Sequence, residues 1–419
     1  MVGCVLTIAA VLRVAFVWCA QVQTPLAADA GQYAQYAWNL CEHATFSLAR
    51  ESPPPPDSFR SPGYPLFLAA CRWWGGESLW QRLAIALQVA LGVLTVLALY
   101  RTMRACSGFW VALGAAALVA LSPHLVVSSG YLLTECVTTA AMTVAWWLIA
   151  GARTRIRCVA AAAAFGFVVL CNEALLPVPI VVGMAWARRE RWRAICFVGL
   201  ALLPFGAWTM RNQLTDLQLR GSARVVASIS HGSYPGMVFN GDPRSFGFPY
   251  RFDPEQPRLG SSWSELQRGL IDRVAAAPWR YAAWFLCEKP VWLWSFDLVQ
   301  GDGVIIYAVG NSPYERHAAM SATYTLMRWL HVPLVALAAM AAGGRPAAVS
   351  PGELVADGVG RHGGDRDGGV SAGHSRPALP ATGAAAGAWS WRDGCGGLGG
   401  ALRPPLARTA DFAVRRAAW

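Results

Sequence analysis

Apolar runs at 2–20, 80–100, 108–121, 131–150, 157–171, 174–187, 194–209 and 325–343 alternate with polar breaks along the chain. A helix needs ~20 apolar residues to cross a bilayer, and several of these runs approach that length. Two further runs fit the pattern less well. The run at 62–74 is too short to span and is flanked by turn residues, which predicts an interfacial or re-entrant piece. The run at 279–299 carries Glu288 and Lys289 near its middle and is rich in Trp and Phe. It either spans or lies along the surface, and the aromatic content favours the interfacial reading. The pattern predicts an all-α polytopic membrane protein with a bundle of about 8–9 membrane helices. Two long polar segments interrupt it, 21–79 and 210–278.

Composition agrees. The chain has 419 residues, of which 55% are hydrophobic and 14% charged. An average soluble domain has roughly 25% charged residues. The net charge of +11 does not point to nucleic acid, because the arginines sit in short loops between apolar runs. Arg101 and Arg104 follow one run, Arg153, Arg155 and Arg157 lie two runs on, and Arg188, Arg189, Arg191 and Arg193 two further. The alternate loops, Ser122 to Ser129 and Asn172 with Glu173, carry no Lys or Arg. By the positive-inside rule the arginine loops are cytoplasmic, and parity puts both long polar segments on the opposite face. Val2 to Ala20 lacks a basic flank and contains Arg13, which predicts an uncleaved anchor rather than a cleaved signal peptide. The 11 cysteines show no metal-ligand spacing and no disulfide framework, and most lie inside apolar runs as small apolar residues.

The first polar segment holds the candidate chemistry. As a helix, 29–40 places Asp29, Tyr33, Tyr36 and Leu40 on one side. Asp29 falls in the first turn, where the helix dipole favours a carboxylate. Pro53 to Pro56 then form a stiff spacer, and a turn through Pro62, Gly63 and Pro65 follows Arg60. A fixed carboxylate and a fixed guanidinium at a membrane face suit chemistry on a lipid-linked phosphate. The alternative is a surface amphipathic helix and a loop, with Asp29 serving the helix end and Arg60 pairing with Asp57 or a lipid headgroup. Tyr33 and Tyr64 either line a sugar site or are interface aromatics. Glu135, at the end of its apolar run, is an ionisable group at membrane depth. It is either functional or paired with an arginine of the first helix. Arg211 sits on the side where the positive-inside rule disfavours cations, which predicts an anionic partner. His231 lies in a stretch with turn chemistry and has no second His at metal spacing. No Gly-rich phosphate loop and no Ser-His-Asp arrangement is present in the sequence.

These motifs, taken in order, resemble a known family. Asp29, Tyr33, Ala37, Asn39 and Leu40 form an Asp-x-x-x-Tyr-x-x-x-Ala-x-Asn-Leu helix, followed by Phe46-Ser47. Then come Arg-Ser-Pro-Gly-Tyr-Pro-Leu-Phe-Leu-Ala at 60–69, Leu-Leu-Thr-Glu at 132–135 and Trp-Thr-Met-Arg-Asn at 208–212. The order is similar to that of bacterial dolichyl-phosphate-mannose–protein mannosyltransferase-like proteins, the glycosyltransferase 39 type with a GT-C fold, over roughly 2–343. The resemblance implies a multi-pass protein of the bacterial plasma membrane with its site on the extracytoplasmic face. It implies transfer, with inversion, of a sugar from a polyprenyl-phosphate donor to a protein, lipid or glycan acceptor. By that resemblance Asp29 is the catalytic base, Arg60 holds the donor phosphate, and Glu135 is the acid at the outer end of the fourth helix. Tyr33, Tyr64 and Arg211 complete the expected substrate site. No cofactor is expected. A divalent metal is compatible with the reaction but not required, since there is no nucleotide diphosphate to neutralise.

Two readings compete. One is a transporter or flippase for a lipid-linked substrate, although no internal repeat supports it. The other is an inactive, truncated product. From 344 to 419 the chain turns abruptly to Gly, Ala, Arg and Pro with no apolar run, and here it departs from the family. That text reads either as a disordered cytoplasmic tail or as a reading-frame error.

Overall fold

The computed structural model describes residues 1–151, 154–187, 190–215, 218–237, 248–298 and 303–343. The tail after 343 lies outside the described residues, as do Arg153, Arg188 and Arg189 of the expected cytoplasmic loops. The chain divides into two compact units. One comprises Met1–Val225 with the described residues from Val309 onward, and the other Val226–Ala308.

The first unit is helical. It holds α1 (Val2–Cys19), α2 (Ala28–His43), α3 (Gly63–Cys106), α4 (Phe109–Leu121), α5 (Pro123–Val127), α6 (Thr134–Ala150), α7 (Arg155–Cys171), α8 (Pro177–Ala187) and α9 (Arg191–Leu214). α10 (Gln218–Ser233) runs across the division. α11 (Gln256–Leu259), α12 (Trp263–Ala276), α13 (Pro278–Ala283) and α14 (Lys289–Leu293) belong to the second unit. The first unit resumes with α15 (Pro313–Arg316) and α16 (Ala318–Gly343). A two-residue ladder joins β1 (Gln21–Val22) to β2 (Val309–Gly310), antiparallel.

Among the described residues, four helices are long and apolar enough to cross a membrane: Val2–Cys19, Gly63–Cys106, Arg191–Leu214 and Ala318–Ala341. α4 and the segment Pro123–Gly130 form a fifth candidate, bent by 57°. α6 and α7, with 17 residues each, stand at the lower edge of spanning length. The chain is a mostly helical membrane protein.

The run at 62–74 forms a short helical stretch of its own at the start of α3. It is set off from the longer helix that carries 80–100 by a kink at Gly76, whose φ of 60° and ψ of −170° are accessible to glycine. One expected boundary changes: the last helix starts earlier than 325, since α16 begins at Ala318.

Small residues bring the helices together. Ala9 of α1, Val96 of α3 and Ala116 and Ala120 of α4 form one buried cluster. Small side chains let backbones approach where lipid supplies no hydrophobic drive. A second cluster joins α6 to α9 around Phe165, which meets Phe197 edge-on at 5.9 Å and Trp146 at 5.7 Å. Gly63 shows how close the approach is at the start of α3. A Cβ there would lie 2.6 Å from the Cys171 backbone nitrogen.

Candidate functional site

The site is built by a loop that folds back on α2. Asn39, buried on α2, donates its side-chain amide to the carbonyls of Ser47 at 2.7 Å and Ala49 at 2.9 Å. Asp57 closes the return. Its backbone N–H donates to Phe46 O at 2.9 Å. Its carboxylate accepts from the backbone N–H of Leu48 at 2.6 Å and of Phe59 at 3.0 Å, and from the Tyr36 hydroxyl. Burial and the Asp57 bond push the Tyr36 phenol well above its ordinary range, so it remains a donor. Phe46 stacks on Tyr36 at 4.2 Å and meets Trp208 of α9 edge-on at 4.8 Å. The loop is thereby fixed between α2 and α9.

This closure delivers Arg60 to the first turn of α2. Its guanidinium donates Nη1 to Asp29 Oδ2 at 3.2 Å and Nη2 to Asp29 Oδ1. The pair is bidentate, the strong geometry for a guanidinium and a carboxylate. Nε donates to Gln32 Oε1 at 2.7 Å, one turn along α2. The guanidinium lies over the Tyr33 ring at 5.2 Å and the Phe59 ring at 5.4 Å. Arg60 is 3% exposed and the Asp29 side chain 14%, so solvent reaches the pair from the Asp29 side.

Sequence reasoning named both residues but not their bond to each other. The alternative pairing of Arg60 with Asp57 does not form, because the Asp57 carboxylate is taken by Tyr36, Leu48 and Phe59. Tyr33 packs beneath Arg60 and edge-on to Tyr64 at 5.1 Å. Tyr64 is fully buried, and its hydroxyl donates to Gln88 Oε1 at 2.8 Å. Gln88 in turn donates to the Tyr131 carbonyl at 2.8 Å and the Ser129 carbonyl at 3.2 Å. Tyr64 thus supports the site from behind rather than facing a ligand.

Glu135 lies in the first turn of α6, within electrostatic reach of Asp29. Its Oε2 is shielded from solvent and has no hydrogen-bond partner among the described residues. The alternative pairing with Arg13 is absent. Arg13, fully buried in α1, donates Nη1 to the Ala9 carbonyl at 3.0 Å instead. Arg211 donates Nη1 to the Asp57 carbonyl at 2.8 Å and to Asn212 Oδ1 at 3.0 Å, and stands over Trp208 at 5.0 Å. It braces the back of the Asp57 turn. No carboxylate among the described residues pairs with it.

Sequence reasoning missed Gln32, Gln88 and Asp57 as structural parts of the site. Gln32 was findable, since it follows Asp29 by three positions on the helix. Gln88, a lone amide inside an apolar run, is another visible signal. In the second unit His231 falls on α10 rather than in a turn, stacked on Tyr250 at 3.8 Å and bonded to Gln256 at 2.9 Å.

Among the described residues, no group of three or more His, Cys, Asp or Glu is placed to hold a metal ion. The chain matches no protein-family model and no curated protein. Fold and site together define a class: a helical membrane protein that carries an arginine–carboxylate pair, open to solvent only at the carboxylate, where a polar loop folds onto the helix bundle.

Proposed function

We propose that the chain is an integral-membrane glycosyltransferase that moves a sugar from a polyprenyl-phosphate donor to an acceptor hydroxyl on the extracytoplasmic face. The observation that carries the reading is the Asp29–Arg60 pair, with Gln32 and Tyr33 around it and Glu135 nearby. Counting α1, α3, α4 with α5, α6, α7, α8, α9 and α16 as crossings gives eight. With that number of crossings the loops around Arg101, Arg155 and Arg191 share one side and the Asp29 loop takes the other, in keeping with the positive-inside rule.

In this reading the pair is a switch between two partners. Arg60 holds Asp29 until the donor phosphate arrives. The phosphate oxygens then take the guanidinium fork, which suits them as well as a carboxylate. Asp29 is released beside the sugar. The acceptor oxygen attacks the anomeric carbon from the face opposite the phosphate, and the bond to the phosphate oxygen breaks with both electrons. Asp29 takes the acceptor proton, and Arg60 stabilises the charge growing on the leaving phosphate. Glu135 binds a hydroxyl of the sugar or acceptor through its unpaired oxygen. The leaving group departs as a phosphate without protonation, so no general acid is invoked and none of these steps calls on a metal.

The test is transfer of radiolabelled sugar from polyprenyl-phosphate donors in detergent-solubilised membranes. Wild-type protein should transfer in the presence of chelator. Asp29→Asn should lose roughly 10²–10⁴-fold in rate, the usual range for a general base. Full transfer by Asp29→Asn would remove Asp29 from the chemistry. No transfer by stably inserted wild type with any such donor would reject the enzyme reading.

A further inference from the structure

The run at 279–299 resolves into pieces that bear on how the second unit meets lipid. α13 has six residues, a π-helical turn (Trp284–Glu288) five, and α14 five. Laid straight, these make about 24 Å of helix, short of the ~30 Å hydrocarbon core. One face is fastened inward. Tyr281 and Trp284 are buried, with Trp284 in a cluster that includes Tyr234, Tyr250 and Leu259. Trp284 Nε1 donates to the Gly232 carbonyl at 3.3 Å, and Lys289 Nζ donates to the same oxygen at 3.0 Å. The outward residues include Trp279, Phe285, Leu286, Val291, Trp292 and Leu293, all exposed. Arg280 and Glu288 are exposed among them.

We infer that α13 to α14 lies flat in the headgroup layer of one leaflet and fastens the second unit to the membrane surface. Three observations select that partner. The exposed apolar residues are too many for a water-facing helix and include Trp at both ends, the residue type favoured at the headgroup boundary. Glu288 lies well inside the segment, so a spanning arrangement would hold an exposed carboxylate within the hydrocarbon. Lying flat, Glu288 and Arg280 both reach the headgroups while the indole and aliphatic groups enter the acyl boundary. Pro290 and the π-helical turn also interrupt the regular hydrogen bonding that a lipid-surrounded span needs. The inference does not depend on the transferase reading.

The wild-type full-length chain in phospholipid nanodiscs tests it. The lipid carries a diazirine either beside the headgroup or at the acyl tip, and crosslinked peptides are mapped by mass spectrometry. Residues 278–294 should capture the headgroup probe several-fold over the acyl-tip probe, at both the Trp279 and the Trp292 ends. Residues 203–210 of α9 serve as a reference for the depth scale. Preferential capture of the acyl-tip probe around Leu286 would mean that the segment spans and would overturn the inference. Capture of neither probe, as expected if a second copy of the chain covers this face, would overturn it equally.

Discussion

Arg60 reaches Asp29 only because Asp57, three residues earlier, satisfies three donors at once. The residue types at 29, 57 and 60 are plain in the sequence, but which carboxylate takes the arginine is not. Helical spacing says nothing about a contact 31 residues away. The closing bonds from Asn39 and Asp57 decide it. Replacing Asp57 by Ala should therefore leave the N–H groups of Leu48 and Phe59 and the Tyr36 hydroxyl without their acceptor. The cost is about 3 kcal/mol or more, given that bonds to charged groups contribute ~1.5–3 kcal/mol each. The unfolding midpoint in detergent should fall, and transfer should fall with it although Asp57 faces no substrate. Tyr36→Phe removes one donor and should be milder; equal effects from the two would count against Asp57 as the organiser. His231 gives a second prediction at this scale. Burial, with a smaller push from Arg251, lowers its imidazole from 6.5 to about 4. Above pH 6.5 it is neutral folded or unfolded. Between 6.5 and 4 the unfolded chain binds a proton that the folded chain refuses, so stability drops on acidification. His231→Gln should flatten the fall in unfolding midpoint across that window.

The helices themselves were largely legible, because apolar runs in a membrane chain have few other solutions. Their joins were less so. Hydropathy shows two runs at 62–74 and 80–100, but not that the helices they form abut at one kinked residue, Gly76. The 279–299 run could not be divided by pattern either, since its shape depends on a π-helical turn and on which aromatics the second unit buries. Packing at the start of α3 makes a testable point. Gly63→Ala would drive a Cβ into the backbone of α7, 2.7 Å from the Leu170 carbonyl carbon. Backbone cannot rotate away, so the change should cost ~1–3 kcal/mol and shift the turn that follows Arg60. Gly199→Ala, where a Cβ meets nothing within 4 Å, is the matched control and should be tolerated. Comparable loss in both, read from the unfolding midpoint and from transfer, would show that α3 and α7 are not as tightly apposed as described.

In the whole molecule, a helix bundle holds a polar loop at one of its ends. The residues expected to form one site mostly do come together: Asp29, Arg60 and Tyr33 touch, Tyr64 supports them, and Glu135 is near. Arg211 supports the same loop from its other side. This convergence of residues 182 positions apart is what a sequence with scattered short motifs only suggests. In the proposed mechanism the Asp29–Arg60 pair opens to take a lipid-linked phosphate. The affinity of detergent-solubilised protein for polyprenyl phosphate, the bare leaving group, tests this opening. If the pair opens, Arg60→Ala binds at least tenfold more weakly than wild type, a loss of ~1.4 kcal/mol or more. Asp29→Asn, which frees the guanidinium from its carboxylate, binds as tightly as wild type or more so. Unchanged binding by Arg60→Ala, or parallel loss in both variants, would mean that the pair is a structural clasp and that the phosphate site lies elsewhere.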